Sequence, residues 1–196
     1  MKHLINLDNT YFGLRHGLSE SNVQNLIVSY PEHGIPGYGL TETGKEQVKN
    51  SITQAKQNRI LDKYTFIISG PFLRVKQTAE IAQEILEVKD VTYRNELIER
   101  NFGLVEKTMF DYQLIWNEDE KDPEHTLHNV ETILSVRQRT RKLIEELENT
   151  HTNQTFLLVS HGDTLQILEA ALKEPSSILF HRLLQPLENA EIRKLN

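Results

Sequence analysis

The sequence predicts an α/β layer architecture, and three observations carry that expectation. Short apolar runs of strand character alternate with segments of helical periodicity along the 196 residues. Two of those runs, Tyr11–Arg15 and Phe156–Ser160, lead straight into a histidine and a glycine, His16-Gly17 and His161-Gly162. With 26% charged and 38% hydrophobic residues, the composition is that of a globular chain that one domain, residues 1–196, accommodates around a buried core. Ligands bind beyond the carboxyl ends of strands in open α/β sheets, so the two histidines stand where chemistry is expected.

The elements follow in order. Tyr11–Arg15 is the first strand. Ser29–Gly39, with Pro31, Gly34, Pro36, Gly37 and Gly39, reads as a loop. Thr41 offers a cap for a helix running to about Asn58, with Val48, Ile52 and Ala55 on one face. Tyr64–Ser69 is a second buried strand, closed by Gly70-Pro71, and a helix from Phe72 spaces Val75, Ala79, Ala82 and Leu86 at helical intervals. Val91–Tyr93 reads as a short strand. The polar, poorly periodic stretch Glu106–Asn129, which carries Trp116 and Pro123, reads as an excursion with a short helix, packed over the sheet edge. Helical periodicity returns over Val130–Leu147 through Ile133, Val136, Thr140 and Ile144. Phe156–Ser160 is a strong strand, Asp163–Leu172 the helix behind it, and Ala190–Leu195 the last strand.

Bulk properties bound the partners. A net charge of −6 argues against nucleic acid or an anionic membrane surface, so a phosphate ligand would need a local cation cluster. The absence of cysteine excludes disulfides and thiolate metal sites and suits a reducing compartment. Met1–Thr10 lacks the apolar core of a signal peptide, and no apolar run approaches the roughly 18–20 residues that span a bilayer. The expectation is a cytoplasmic protein with no membrane partner; oligomeric state is not legible. His125 and His128 form a His-x-x-His pair without a third ligand nearby, and no metal is expected. Gly39–Lys45 opens like a nucleotide-binding P-loop, but Glu46 occupies the position of its magnesium ligand and no strand precedes it.

The sharpest local signal is Arg15-His16-Gly17. Arg15 offers a rigid fork of donors shaped for phosphate oxygens, Gly17 lets the backbone turn and approach a ligand, and His16 beside them is placed to attack. Four more motifs follow in order: Leu40-Thr41-Glu42-Thr43-Gly44, Pro71-Phe72-Leu73-Arg74-Val75-Lys76-Gln77-Thr78-Ala79, Glu99-Arg100-Asn101-Phe102-Gly103 and Val159-Ser160-His161-Gly162. Together they resemble the histidine phosphatase superfamily, which includes cofactor-dependent phosphoglycerate mutase and the fructose-2,6-bisphosphatase-type phosphatases. The resemblance implies a three-layer αβα sandwich with a central, mostly parallel sheet. It also implies that His16 becomes phosphorylated, that Arg15, Arg74 and His161 hold the phosphoryl group, and that Glu99 is the proton donor. It puts Ser19, Asn22 and Gly162 among the substrate- and phosphate-binding positions, with a small phosphate ester as partner and no cofactor.

The chemistry asks for the same ensemble. Phosphoryl transfer is largely positioning plus stabilisation of charge on the equatorial oxygens. The attacking imidazole must be neutral, which two guanidinium groups favour, and its other ring nitrogen should be held by an acceptor such as a backbone carbonyl. An alkoxide leaving group needs an acid, whose conjugate base then activates water. Glu96 competes with Glu99 for that role, although pairing with Arg94 would occupy it; Glu106 is a third candidate with a structural alternative. Gly70 stands where the family often has serine, at the cost of a minor phosphate hydrogen bond. Asp163 is expected to serve its helix N-terminus and point away from the phosphate, the alternative being a selector for a cationic or hydroxyl-rich part of the substrate. A phosphomonoester hydrolase is favoured over a mutase because Leu18 stands at the mutase glutamate position and little sequence follows the last strand. A binding scaffold without activity is disfavoured by the full residue set. Specificity is expected from the Asn25–Gly39 loop and the Glu106–Asn129 excursion.

Overall fold

The computed structural model describes residues 7–109, 111–174, 176–178 and 180–196. Of the polar N-terminal stretch, residues 1–6 lie outside them. The strands are β1 (Thr10–Arg15), β2 (Phe66–Ser69), β3 (Val91–Tyr93), β4 (Thr155–Ser160) and β5 (Ile192–Lys194). They form one five-stranded sheet in the order β3-β2-β4-β1-β5. The first four run parallel, and β5 pairs antiparallel with β1.

Helices cover both faces, which explains why β4 reads as an unbroken apolar run. Leu157 and Val159 point to one side, joining Leu14, Ile67 and the inner residues of α3 (Glu42–Gln57) and α4 (Leu73–Leu86). Phe156 and Leu158 point to the other, against Leu143, Ile144 and Leu147 of α6 (Ile133–Thr150) and Leu165 and Leu168 of α7 (Gly162–Lys173). The result is the α/β three-layer sandwich. Three shorter helices complete it: α1 (Glu20–Val23), α2 (Pro31–Gly34) and α5 (Tyr112–Lys121). Among the described residues, no helix is long and apolar enough to cross a membrane.

Side chains that compete with the backbone ladder set several boundaries away from the periodicity. The second strand begins at Phe66 rather than Tyr64, because Asp62 accepts from the Tyr64 amide and donates its own to Thr65 Oγ1, closing a turn. Helix α6 begins at Ile133 rather than Val130, because Thr132 caps the Ser135 amide. Within the expected Ser29–Gly39 loop, Pro31 opens the single turn of α2. The described part of the excursion packs its apolar residues elsewhere than the expected sheet edge. Ile115 of α5 packs with Ile27, Phe102, Val105 and Val130 in a separate apolar cluster, and Tyr112 and Trp116 reach the pocket described next.

Candidate active site

Parallel pairing aligns Arg15 with Ser160 and Ser69 with Val159, so three strands end together at one edge of the sheet. A cavity of about 140 Å³ opens there, lined by Arg15, His16, Asn22, Arg74, Glu99 and Gly162, with Asp163 and the aromatic residues Tyr112 and Trp116. The turn after β1 is locked by close approach to α3: a Cβ on Gly17 would collide with the Gly44 carbonyl oxygen.

His16 Nδ1 lies 2.8 Å from the Gly17 carbonyl oxygen, which makes Nδ1 the donor and leaves the lone pair on Nε2. Arg74 Nε donates to that Nε2 at 3.2 Å. Burial first, then Arg74 and Arg15, hold His16 well below the usual histidine range, so the ring is neutral. Arg74 sits in the first turn of α4, wholly buried, and its Nη2 donates to the Val28 carbonyl (2.9 Å) and to His161 Nδ1 (3.1 Å). Burial brings its pKa down to about 10, and the guanidinium remains charged at neutral pH. The His161 ring stands edge-on to that of His16, centroids 5.3 Å apart. Burial and then Arg74 keep it neutral too, and with Nδ1 accepting, its Nε2 carries the proton. Arg15 is anchored through Nη1 on the Leu187 carbonyl at 2.6 Å.

Three buried donors in this cluster, Arg15 Nε, Arg74 Nη1 and His161 Nε2, have no hydrogen-bond partner. Buried polar groups are almost always satisfied, so three orphans surrounding one neutral imidazole describe a cradle for an anion.

Glu99 is delivered by a segment pinned from β4 and α7. Ser160 Oγ donates to the Leu97 carbonyl at 2.7 Å, and Thr164 Oγ1 to the Ile98 carbonyl at 2.8 Å. Glycine at position 70 has a local reason, since a Cβ there would lie 2.5 Å from the Leu97 carbonyl oxygen. Glu99 Oε1 accepts from the Arg100 amide at 2.9 Å, and Oε2 lies 3.7 Å from His161 Nδ1. Burial, followed by the Asp163 carboxylate, pushes its pKa up to about 7 against the pull of Arg74. The rival carboxylates are occupied. Glu96 pairs with Arg94 at 2.9 Å, while Glu106 accepts from both the amide and hydroxyl of Ser29 and lies 2.8 Å from His33 Nδ1.

Two expected placements are corrected. Ser19 does not line the cavity. Its fully buried hydroxyl caps α1 and contacts Ser21 and Asn22, so the cavity receives Ser21 and Asn22 in its place. Asp163 does not point away to serve its helix. It faces the cavity, with Oδ2 accepting from Trp116 Nε1 (3.3 Å) and Arg100 Nη1 (3.4 Å) and Oδ1 from Arg182 Nη2 (3.3 Å). Burial alone would raise its pKa, but Arg182 and Arg100 outweigh it and hold the carboxyl below its usual range. His161 is brought into the cluster through its bond to Arg74. His125 bonds to Asp119 at 2.9 Å, and among the described residues no three potential ligands are grouped to hold a metal. Tyr112, Trp116, Gln166 and Pro186 join the site without having been singled out as ligand residues, although the first two lie in the excursion expected to set specificity. The only sequence signal for them was aromatic residues in a polar stretch.

The histidine phosphatase superfamily (branch 1) matches residues 12–196. Phosphoserine phosphatase 1 of Hydrogenobacter thermophilus is 31% identical over 81% of this chain and 74% of its own length. An uncharacterized phosphatase of Bacillus subtilis, PhoE, is 23% identical over 79% of this chain and 72% of its own. Among solved structures, a mycobacterial glucosyl-3-phosphoglycerate phosphatase in complex with VO3 is similar in fold, with a TM-score of 0.77 at 24% identity over 93% of this chain and 90% of that one.

Proposed function

The chain belongs to the histidine phosphatase superfamily, branch 1, and from that premise we propose that it hydrolyses a small phosphomonoester through a phosphohistidine on His16. The carrying observation is the set of three unpartnered buried donors around a neutral imidazole. A phosphate dianion satisfies all three, and its arrival takes Arg74 Nε off the His16 lone pair. His16 Nε2 then attacks phosphorus in line with the ester oxygen, while Arg15, Arg74 and the His161 Nε2–H hold the equatorial oxygens. Through Nδ1, His161 also positions Arg74. Gly17 steadies the charge that develops on the ring by accepting from Nδ1.

As the P–O bond breaks, Glu99 gives its proton to the leaving oxygen and becomes a carboxylate. That carboxylate takes a proton from water, the hydroxide attacks phosphorus, and His16 departs as neutral imidazole with orthophosphate released. A pKa of about 7 lets one residue be acid in the first step and base in the second. The names of the relatives place O-phosphoserine and glucosyl-3-phosphoglycerate in the panel of esters to be compared.

The test is rapid quenching with a phosphate-labelled ester. The wild type should hold acid-labile, base-stable label, and His16→Ala none; label on a serine or aspartate would overturn the mechanism. Incubation with 3-phosphoglycerate and catalytic 2,3-bisphosphoglycerate should give negligible 2-phosphoglycerate. Isomerisation faster than phosphate release from every ester tried would make the protein a mutase.

A further inference from the structure

The cavity has two halves of different chemistry. At one end stand His16 and the two arginines. At the other, Tyr112 and Trp116 stack with centroids 5.7 Å apart, and Asp163 and Gln166 supply the polar atoms. Gln166 gives its amide nitrogen to the carbonyls of His181 and Leu184, both at 2.8 Å, and its oxygen accepts from Arg182 Nη2 at 3.3 Å. The Trp116 indole N–H is already given to Asp163. Asp163 is therefore the charged acceptor at that end, beside the Tyr112 hydroxyl.

The three donors on Asp163 all sit at 3.3–3.4 Å, long for bonds to a carboxylate. A carboxylate offers about four lone-pair sites, so one acceptor position is left over. The arginines that neutralise Asp163 are not among the residues that line the cavity, although Arg182 Nε has no hydrogen-bond partner. Arg100 is fully buried in a bidentate pair with Asp119, and the Arg182 guanidinium lies over the Trp116 ring at 4.9 Å. Among the described residues, the cations that line the cavity are Arg15 and Arg74, both at the phosphate end.

Size adds a second constraint. At about 140 Å³ the cavity lies below the ~300–1,000 Å³ of sites that take drug-sized ligands, which suits a phosphoryl group with a short leaving group.

Building on the phosphatase reading above, we propose that this site selects phosphate monoesters of small hydroxyl- or ammonium-bearing alcohols and rejects esters carrying a second anion, with Asp163 as the selecting residue. A hydroxyl or ammonium on the leaving group supplies the donor that Asp163 lacks, and its carbon chain packs on the Tyr112–Trp116 wall. A carboxylate or second phosphate in the same place meets a like charge with no facing cation, in surroundings where water screens poorly.

Two matched substrate pairs isolate the effect. Phosphoethanolamine and O-phosphoserine differ by a carboxylate; glycerol 3-phosphate and 3-phosphoglycerate differ by a hydroxymethyl against a carboxylate. In the wild type, kcat/KM should fall at least tenfold on adding the carboxylate in each pair. Asp163→Asn should shrink that ratio by about tenfold, chiefly through KM. The members of a pair lose similar alkoxides, so any change Asp163→Asn makes in Glu99 acidity cancels in the ratio. Arg182→Gln, which leaves Asp163 less neutralised, should widen the ratio, and it keeps the question open to measurement if Asp163→Asn fails to fold.

Calorimetric titration of His16→Ala with the same four esters reads the selection without turnover. A protein that hydrolyses none of them, nor p-nitrophenyl phosphate, yet still binds the uncharged and cationic members at least tenfold tighter would refute the hydrolase while upholding the selection. Equal or tighter binding of the carboxylated members would overturn the selection whatever the activity, and would make Arg182 a carboxylate ligand.

Discussion

The acid assigned to Glu99 makes the enzyme's pH dependence a matter of leaving group. An ordinary glutamate, with a pKa of 4.5, is protonated about once in 300 molecules at pH 7. Burial and then Asp163 bring Glu99 to about 7, where half the molecules carry the proton. The environment thus raises the acid population by about two orders of magnitude, equivalent to ~3 kcal/mol. Above pH 7 the proton is lost, and single-turnover phosphorylation by an alkyl phosphate should fall tenfold for each further pH unit. With p-nitrophenyl phosphate, whose leaving group needs little protonation, the same limb should be nearly flat. Glu99→Gln should slow phosphorylation by an alkyl ester by about 100-fold or more and by the aryl ester much less. The assay is quenched-flow measurement of phosphoenzyme between pH 5 and 9. Equal losses for both esters would remove Glu99 as the acid and direct attention to Glu96.

The same substitution should stabilise the fold at high pH. Below about pH 4.5 the carboxyl is protonated in both folded and unfolded chains, and Glu99→Gln gains nothing; as the pH rises from there to 7, the unfolded chain releases a proton that the native state retains, and native stability falls. By pH 8 the variant should be more stable by up to ~3 kcal/mol in urea unfolding. Arg74→Lys should weaken phosphate binding at least tenfold in calorimetry, because a lysine cannot engage Val28, His161 and an oxyanion with one planar fork. Arg100→Met should cost about 3–5 kcal/mol in urea unfolding, since it leaves Asp119 charged and fully buried without its bidentate partner.

Much of the frame was legible because both sheet faces are covered. That makes strands such as Phe156–Ser160 continuous apolar runs, and the amphipathic spacing of Val48, Ile52 and Ala55 marks a helix against them. What periodicity does not carry is competition by side chains: Thr132 through one hydrogen bond and Asp62 through two shifted two element starts. Nor does it carry direction, so the reversal of β5 against β1 was not readable from Ala190–Leu195.

The site divides along the same line. His16, Arg74, Glu99 and His161 sit in motifs whose meaning survives translation along the chain: the two histidines and Arg74 lie at a strand end or in the first helical turn after one, and Glu99 lies in the loop beyond β3. Asp163 sits in such a motif too, yet its orientation could not be read there. An anion beside a phosphate cradle looks repulsive when only its neighbours in sequence are counted. Two arginines reverse that balance: Arg100, 63 residues earlier, and Arg182, 19 residues later. With its charge compensated by these arginines, Asp163 can remain ionised at the cavity wall, where it raises Glu99 and faces the leaving group at once. One carboxylate thereby couples the acidity of the proton donor to the choice of ester. A change at Asp163 should therefore move the pH profile and the substrate preference together, whereas a change at Glu99 should move the pH profile alone.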